Sequence, residues 1–367
     1  MTRVLYLARY RNAAMEKKIA LMAAEPRWQL WLFRPSAWRD EYGALQLATG
    51  NSSAYRVVSA PLIRRPNDPH RAVYRSLTFA LRQIKPELIH AEEEPDSLTG
   101  LQIAVARRLF APRAKLLWHT WQNINRPKSW YVQAITNFNL HQADAILCAN
   151  QEAVEVLRQM KYVRPAPVIP PQGVDTTIFY PIEPRTRHAR FTIGFVGRFV
   201  PEKNIDLLLS AVQQLSRPVH LQLIGNGPLR TQLEEQARSL DAEVAFIEPV
   251  PLDQLAALYQ QLDVLVLPSR TTPVWKEQFG RVLIEAMACG VPVVGSDSGA
   301  IPEVIGEAGL IFPESDANAL ADCLRRLITS PELRADLAQR GLARVQAQYT
   351  QERIAQQTLI FYRQVLT

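Results

Sequence analysis

No apolar run in this sequence reaches the ~20 residues that a membrane-spanning helix needs. The continuous apolar stretches, such as 264–267 and 291–294, are strand-sized. There are three cysteines, Cys148, Cys289 and Cys323, each alone among apolar neighbours. That excludes a disulfide framework and a cysteine-rich metal site. The chain starts Met1-Thr-Arg-Val-Leu-Tyr-Leu-Ala, a strand-like segment followed at once by Arg9 and Arg11. It lacks the apolar segment and small-residue cleavage site of a signal peptide, so the expected compartment is the cytoplasm. No repeat of 20–50 residues and no low-complexity segment occurs.

What is present is a chain of 367 residues, 47% hydrophobic and 21% charged. That length fits two domains of about 150–200 residues each, and the composition is that of a globular protein. The net charge of +7 is unevenly spread. Residues 1–180 hold 24 basic against 14 acidic side chains, a net of +10, and residues 181–367 hold 18 against 21, a net of −3. The excess in the first half is either the charge of an ordinary soluble surface or the footprint of an acidic partner or anionic surface.

Short β-branched runs alternate with helix-length amphipathic stretches, the pattern of parallel sheets with crossover helices. In the first half, strands are expected at 4–8, 29–33, 57–59, 88–91, 115–119, 145–149 and 168–169. Helices are expected at 15–23, 71–85, 98–109, 129–142 and 152–160. Proline-rich residues 165–171 and polar residues 181–190 then interrupt the pattern, as a domain boundary does. A second series has strands at 192–197, 221–224, 244–247, 263–267 and 292–296. Its helices fall at 205–215, 229–240, 252–261 and 279–288, and a helical tail follows at 317–328, 331–349 and 351–366. The fold class is therefore α/β, with two Rossmann-like doubly wound domains facing a central cleft outside the carboxyl ends of the strands. The domains are expected at 1–180 and 181–350, with a C-terminal helix at 351–367 that packs back on the first domain.

Two segments carry chemistry. Gly197-Arg-Phe-Val-Pro-Glu-Lys203 follows a strand directly and precedes a helix near Asn204. Backbone N–H groups and two cations at one spot are anion-binding equipment; the alternative is a solvated turn. In the segment from Thr272 to Pro292, Phe279-Gly280 is expected to open a helix. Glu277 then precedes it, and Glu285 lies about 7–8 Å along its axis. An anion at the helix N-terminus would sit between two carboxylates able to accept hydrogen bonds from sugar and ribose hydroxyls. The alternative assigns Glu277 to compensation of the helix dipole and Glu285 to a surface ion pair.

Together these segments resemble the retaining glycosyltransferases of GT-B architecture, in the large family 4. The matching pieces are Gly197-Arg-Phe-Val-Pro-Glu-Lys203, Gly225-Asn-Gly-Pro228 and Asp263-Val-Leu-Val-Leu-Pro-Ser269. Glu277 and Glu285 also match with their seven intervening residues, as do Glu285-Ala-Met-Ala-Cys-Gly-Val-Pro292 and Gly299-Ala-Ile-Pro-Glu-Val-Ile-Gly306. The resemblance is close over about 191–315. It implies that Gly197, Arg198 and Lys203 hold the diphosphate of a nucleotide-sugar donor and that Glu285 binds the ribose hydroxyls. It further implies that Glu277, with the backbone of Phe279, Gly280, Arg281 and Val282, holds the sugar and phosphate. Residues from Glu248 to Val250 would flank the base. His119, at the end of a first-domain strand, matches a family histidine near the transferred sugar.

No Asp-x-Asp occurs, so a metal clamp on the diphosphate is not expected and cations must stabilise the leaving group. No cofactor is implied beyond the donor substrate itself. Gly225-Asn-Gly-Pro-Leu-Arg230 lacks the third glycine of a dinucleotide fingerprint. With no nucleophile poised for double displacement, the resemblance implies that the departing phosphate takes the acceptor proton on the same face, with retention. The first loop, 8–14, lacks the glycine pair of many relatives, although Arg9 and Arg11 remain available to an anion. Residues 90–96 place four carboxylates, Glu92, Glu93, Glu94 and Asp96, at a strand end, read as a solvated loop or as an acceptor contact. Trp118, Trp121 and Trp130 read as core, or as one ring lining an acceptor groove.

The expected partners are a UDP- or GDP-sugar donor and a carbohydrate or lipid-linked acceptor, such as a glycolipid or polysaccharide precursor. Arg64, Arg65, Arg71, Arg75 and Arg82, of which Arg71, Arg75 and Arg82 fall at helical spacing, are the candidates for peripheral contact with an anionic membrane, and a soluble anionic acceptor explains the same charge. Competing readings are a nucleotide-sugar epimerase or phosphorylase of the same fold and a nucleic-acid-binding protein. No pyridoxal-lysine motif supports a phosphorylase. The basic residues are not interleaved with aromatics as in known nucleic-acid modules, so no nucleic acid is expected.

Overall fold

The computed structural model describes residues 1–10, 13–40, 43–46, 54–64, 68, 71–182 and 190–367. Arg11, Arg65 and residues 183–189 of the expected boundary lie outside the described residues. The chain forms two compact units, Met1–Gln172 with Gln351–Thr367, and Gly173–Thr350. The division at 172/173 comes earlier than 180/181, so the Pro171-containing stretch rather than the polar one marks it.

The first unit runs β1 (Thr2–Leu7), α1 (Lys17–Ala23), β2 (Trp28–Pro35) and a hairpin of β3 (Ala37–Asp40) and β4 (Gly43–Gln46). Then come β5 (Arg56–Ala60), a short antiparallel pair β6 (Leu62–Ile63) and β7 (Val73–Tyr74), α2 (Leu77–Ile84), β8 (Leu88–Ala91) and α3 (Leu98–Phe110). It continues with β9 (Lys115–Thr120), α4 (Trp130–Gln142), β10 (Ala145–Cys148) and α5 (Gln151–Gln159). Six strands pair in parallel in the order β10-β9-β8-β1-β2-β5. β8 and β10 are buried at every residue, because helices cover both faces; β10 accordingly reads as an unbroken apolar run rather than an alternating one.

The second unit runs β11 (Thr192–Val196), α6 (Ile205–Val212), β12 (His220–Ile224), α7 (Arg230–Ala237), β13 (Glu243–Ile247), α8 (Leu252–Gln260) and β14 (Val264–Leu267). It ends with α9 (Arg281–Ala288), β15 (Val293–Ser296), α10 (Ile301–Ile305), β16 (Gly309–Phe312), α11 (Ala317–Thr329) and α12 (Pro331–Arg344). Its parallel sheet is ordered β13-β12-β11-β14-β15-β16. The chain winds outward from β11 to β13, then crosses back to β14 on the other side. The ends of β11 and β14 therefore flank a topological switch point, where this class of sheet binds ligands.

The last helix, α13 (Gln351–Leu366), belongs to the first unit. Its Ile354, Leu359 and Tyr362 pack with Ile19 and Met22 of α1 on one face of the first sheet. On the other face lie Leu77 and Leu81 of α2, Ile103 of α3, Leu140 of α4 and Leu157 of α5. Each such side chain contributes roughly 1.5–3 kcal/mol when fully buried.

Several elements differ from the sequence expectation. Residues 71–85 are not one helix. Tyr74 packs edge-on against Phe33 at 4.9 Å, and its backbone N and O bond the Gln102 side chain at 2.8 and 2.6 Å, so Val73–Tyr74 is held extended and α2 begins at Leu77. Arg71 and Arg75 precede the helix, and the helical stripe expected with Arg82 does not form. Residues 168–169 contribute one bridge, Cys148 to Val168. The helix expected over 331–349 gives way after Arg344 to a π-turn, Val345–Tyr349. Among the described residues, no helix is long and apolar enough to cross a membrane.

Candidate functional site

At the carboxyl end of β11 the backbone is tied to the neighbouring loop. Gly197 N donates to Ile224 O at 3.0 Å and Phe199 N to Asn226 O at 2.9 Å. The two loops touch so closely that a Cβ on Gly225 would lie 1.9 Å from Gly197 O. Glycine is required there for close approach. Phe199 is fully buried between Phe195 and Phe246, with centroids at 6.3 and 6.1 Å, and anchors the loop from beneath. Half-buried Arg198 precedes it, and the short 3-10 turn Pro201–Lys203 leads into α6.

Lys203 extends over the ring of Trp275, 4.9 Å from its centroid, and its Nζ lies 2.6 Å from Oε2 of Glu277. Ser269, just past β14, donates to the same oxygen at 2.9 Å. Ala300 N, in the turn after β15, donates to Glu277 O at 2.9 Å. Loops from three adjacent strand ends thus hold Glu277, which is 7% exposed, directly at the switch point.

The helix after it starts later than expected. Gly280 adopts φ +78° and caps α9, which begins at Arg281, so Phe279 and Gly280 precede the helix rather than open it. A left-handed residue there turns the chain into the helix at no Cβ penalty. Phe279 is buried edge-on against Tyr349 at 5.8 Å, and Val282 is half-buried. Glu285, on the first turns of α9, is buried, accepts from Tyr259 Oη at 3.0 Å and pairs with Arg281 at 2.9 Å. Burial pushes its carboxyl above the usual range, against the opposing pull of Arg281 and Tyr259. Arg281 is about half exposed in that pair. Exposed Glu248, after β13, accepts from Asn226 Nδ2 at 2.9 Å and Arg230 Nη1 at 2.7 Å, with half-buried Val250 two residues on.

The structure therefore joins Lys203 to Glu277, and Arg281 to Glu285, as two separate ion pairs within the second unit. Sequence reasoning assigned no role to Ser269, Trp275 or Tyr259. Ser269 stood inside a matching segment, whereas Tyr259 is recognisable only from its contact with Glu285.

In the first unit, His119 on β9 is completely buried. Its Nε2 lies 2.8 Å from Ile169 O, and its Nδ1 lies 3.2 Å from Nε2 of His90, whose Nδ1 is 2.5 Å from Tyr362 Oη. A carbonyl oxygen only accepts, so His119 carries its proton on Nε2. His90 then donates from Nε2, and the Tyr362 hydroxyl donates to His90 Nδ1. Burial holds both rings well below the ordinary histidine range; for His90 the facing His119 adds to this, and for His119 the Lys18 ammonium does.

The loop at 90–96 is not a solvated one. Glu92 accepts from Tyr6, Tyr10 and the fully buried Lys18, whose Nζ also donates to Pro171 O at 2.5 Å. Glu93 pairs with Arg9 at 2.5 Å. Glu94 accepts from Thr120 Oγ1 and from Trp121 N at 2.9 Å, and burial pushes it up to about 7. Asp96 lies 3.8 Å from Lys128. Of the three tryptophans nearby, Trp118 is core, Trp121 half-buried and Trp130 83% exposed.

Residues 180–344 match the sequence profile of the family described as glycosyl transferases group 1. Among curated proteins, a GDP-mannose-dependent monoacylated alpha-(1-6)-phosphatidylinositol monomannoside mannosyltransferase of Corynebacterium glutamicum is 32% identical over 198 residues, 50% of this chain and 52% of that enzyme. The alpha-maltose-1-phosphate synthase of Mycolicibacterium smegmatis is 30% identical over 251 residues, 61% of this chain and 64% of that enzyme. The chain thus spans less than two thirds of the length of either. In fold, it is similar to a sucrose-phosphate synthase from Thermosynechococcus elongatus, with TM-score 0.77 and 23% identity over 100% of this chain and 99% of that one. It is also similar to Anabaena Alr3699/HepE, solved in complex with UDP, with TM-score 0.74 and 17% identity over 99% of this chain and 100% of that one. The chain resembles the GT-B glycosyltransferases, with residues 180–344 matching their group 1 domain.

Proposed function

We propose that this protein is a retaining, metal-independent glycosyltransferase that moves a sugar from a UDP- or GDP-sugar to an acceptor hydroxyl. The observation that carries the proposal is the Lys203–Glu277–Ser269 junction at the switch point of the second sheet, beside the capped N-terminus of α9. It combines a cation for a leaving phosphate, a fixed carboxylate for sugar hydroxyls and backbone N–H groups for an anion.

In this reading the donor diphosphate meets Arg198 and Lys203, and its charge takes over Lys203 from Glu277. The freed Glu277 oxygen then accepts from a sugar hydroxyl, with Ser269 holding the carboxylate in place. Glu285 takes the ribose hydroxyls, and the backbone of Glu248 to Val250 flanks the base. The bond from the anomeric carbon to the phosphate oxygen breaks as the bond to the acceptor oxygen forms on the same face. The acceptor's proton passes to the departing phosphate. His119 was expected near the transferred sugar, but its ring is completely buried and both nitrogens are engaged, by Ile169 O and His90, so it has no part in the proposed chemistry. The mannosyltransferase relative, named for a phosphatidylinositol mannoside acceptor, supports a lipid-linked acceptor ahead of a free sugar.

The test is a panel of UDP- and GDP-sugars read by nucleoside diphosphate release, with Lys203→Ala and Arg198→Ala as controls. Release from at least one donor, lost in both variants, is expected. No release from any donor, or full release by both variants, overturns the proposal.

A further inference from the structure

α2, α3 and α4 lie side by side over one face of the first sheet. Within their spans the three helices carry Arg82, Arg107 and Arg108 and no aspartate or glutamate, and Arg107 pairs with Asp144. Exposed Arg75, Lys85 and Arg113 stand in the segments beside them. The face is also marked by what it leaves uncovered. Val105 and Leu109 of α3, one turn apart, are 40% and 65% exposed, with exposed Arg108 between them on the same outward stripe. On α2, Phe79 is 65% exposed and Arg82 follows one turn later. The Arg82 guanidinium lies 4.5 Å from the Phe110 ring centroid, which joins the outer surfaces of α2 and α3.

We infer that this α2–α3 face docks the protein on an anionic lipid surface. Large apolar side chains interleaved with arginines match a layered partner, with phosphates outside and acyl chains beneath. Arginine stems lie along the apolar surface while their heads stay at headgroup level. A nucleic acid backbone would engage the cations but leave Phe79, Val105 and Leu109 without a partner. The inference concerns the first unit alone and stands independently of the donor site.

The experiment is flotation of the full chain with vesicles of phosphatidylcholine containing phosphatidylglycerol, and with phosphatidylcholine alone, at low and high salt. Binding is expected to the anionic vesicles at low salt and to fall as salt screens the charge. The pair Arg82→Gln with Arg108→Gln should weaken it on the order of 25-fold, at about fivefold per arginine near such a surface. The pair Phe79→Ser with Leu109→Ser should weaken binding to vesicles while leaving binding to polyglutamate unchanged. All four substitutions are exposed, and unchanged melting would exclude misfolding. No retention on anionic vesicles at low salt overturns the inference. So does retention that neither pair alters, or polyglutamate binding that depends on Phe79 and Leu109 equally.

Discussion

Replacing Lys203 with alanine separates the structural and the chemical work of one residue. The ammonium lies 2.6 Å from Glu277, and the two side chains are 19% and 10% exposed. Its loss leaves a nearly buried carboxylate still held by the Ser269 hydroxyl but without this ammonium. Losing that partner costs about 1–3 kcal/mol, short of the 3–5 kcal/mol of a fully desolvated pair, because the Lys203 side chain is partly exposed. In a unit of this size roughly 2 kcal/mol corresponds to a fall in Tm of about 4–8 °C. Turnover should drop further, on the order of 10²–10³-fold, as expected for one missing electrostatic donor. The double variant Lys203→Ala with Glu277→Gln then divides the two effects. Removing both charges should restore most of the lost stability, while turnover stays low or falls again. Calorimetric melting and donor turnover measured on all four members of the cycle test this. A double variant no more stable than Lys203→Ala would mean that the ion pair does not couple, and wild-type turnover in Lys203→Ala would refute the donor role.

Glu285→Ala should weaken binding of free nucleoside diphosphate, whereas Glu277→Ala should leave it nearly intact and mainly harm transfer; titration calorimetry showing the reverse would invert the assumed orientation of the donor along α9. Glu94, pushed up to about 7 by burial, keeps its proton more tightly folded than unfolded, so it should cost stability as pH rises from about 4.5 to about 7, by ~3 kcal/mol at most. Glu94→Gln should flatten that slope in melting curves, and an unchanged slope counts against a buried carboxyl. The buried His90 and His119 act with the opposite sign, their contribution being present above pH ~6.5 and lost as pH falls below it. Activity should survive EDTA, and the product should keep the donor's anomeric configuration by NMR; an inverted product contradicts the proposed chemistry.

The alternation of strand and helix was legible because parallel strands covered on both faces, such as Ala145–Cys148 and Val264–Leu267, leave unbroken apolar runs that no turn or surface helix imitates. β16 was missed because an edge strand has one neighbour and stays partly open, so Gly309–Phe312 carries little of that signal. In the second unit the matching segments pointed to Lys203 and Glu277, but the bond between them spans 74 positions and exists only after folding. The same distance effect explains the misreading of residues 90–96. Glu92 and Glu93 look solvated until Tyr6, Tyr10, Lys18 and Arg9, all more than 70 positions away, are brought to them. The His119–His90–Tyr362 chain was further out of reach, its last bond joining residues 272 positions apart.

The return of α13 to the first unit sets an order on synthesis. The second unit is one continuous segment and holds all its own strands and helices once Thr350 has left the ribosome. The first unit, although begun first, then still lacks the helix that covers Ile19, Met22, Trp28 and Leu30. Until residues 351–367 emerge, α1 covers that side of its sheet without α13, part of the apolar surface stays open, and His90 waits without the Tyr362 hydroxyl. The earliest-made half of the protein is therefore the last to close, and its open interval, when exposed apolar surface invites aggregation or chaperone capture, lasts as long as translation of the whole second unit.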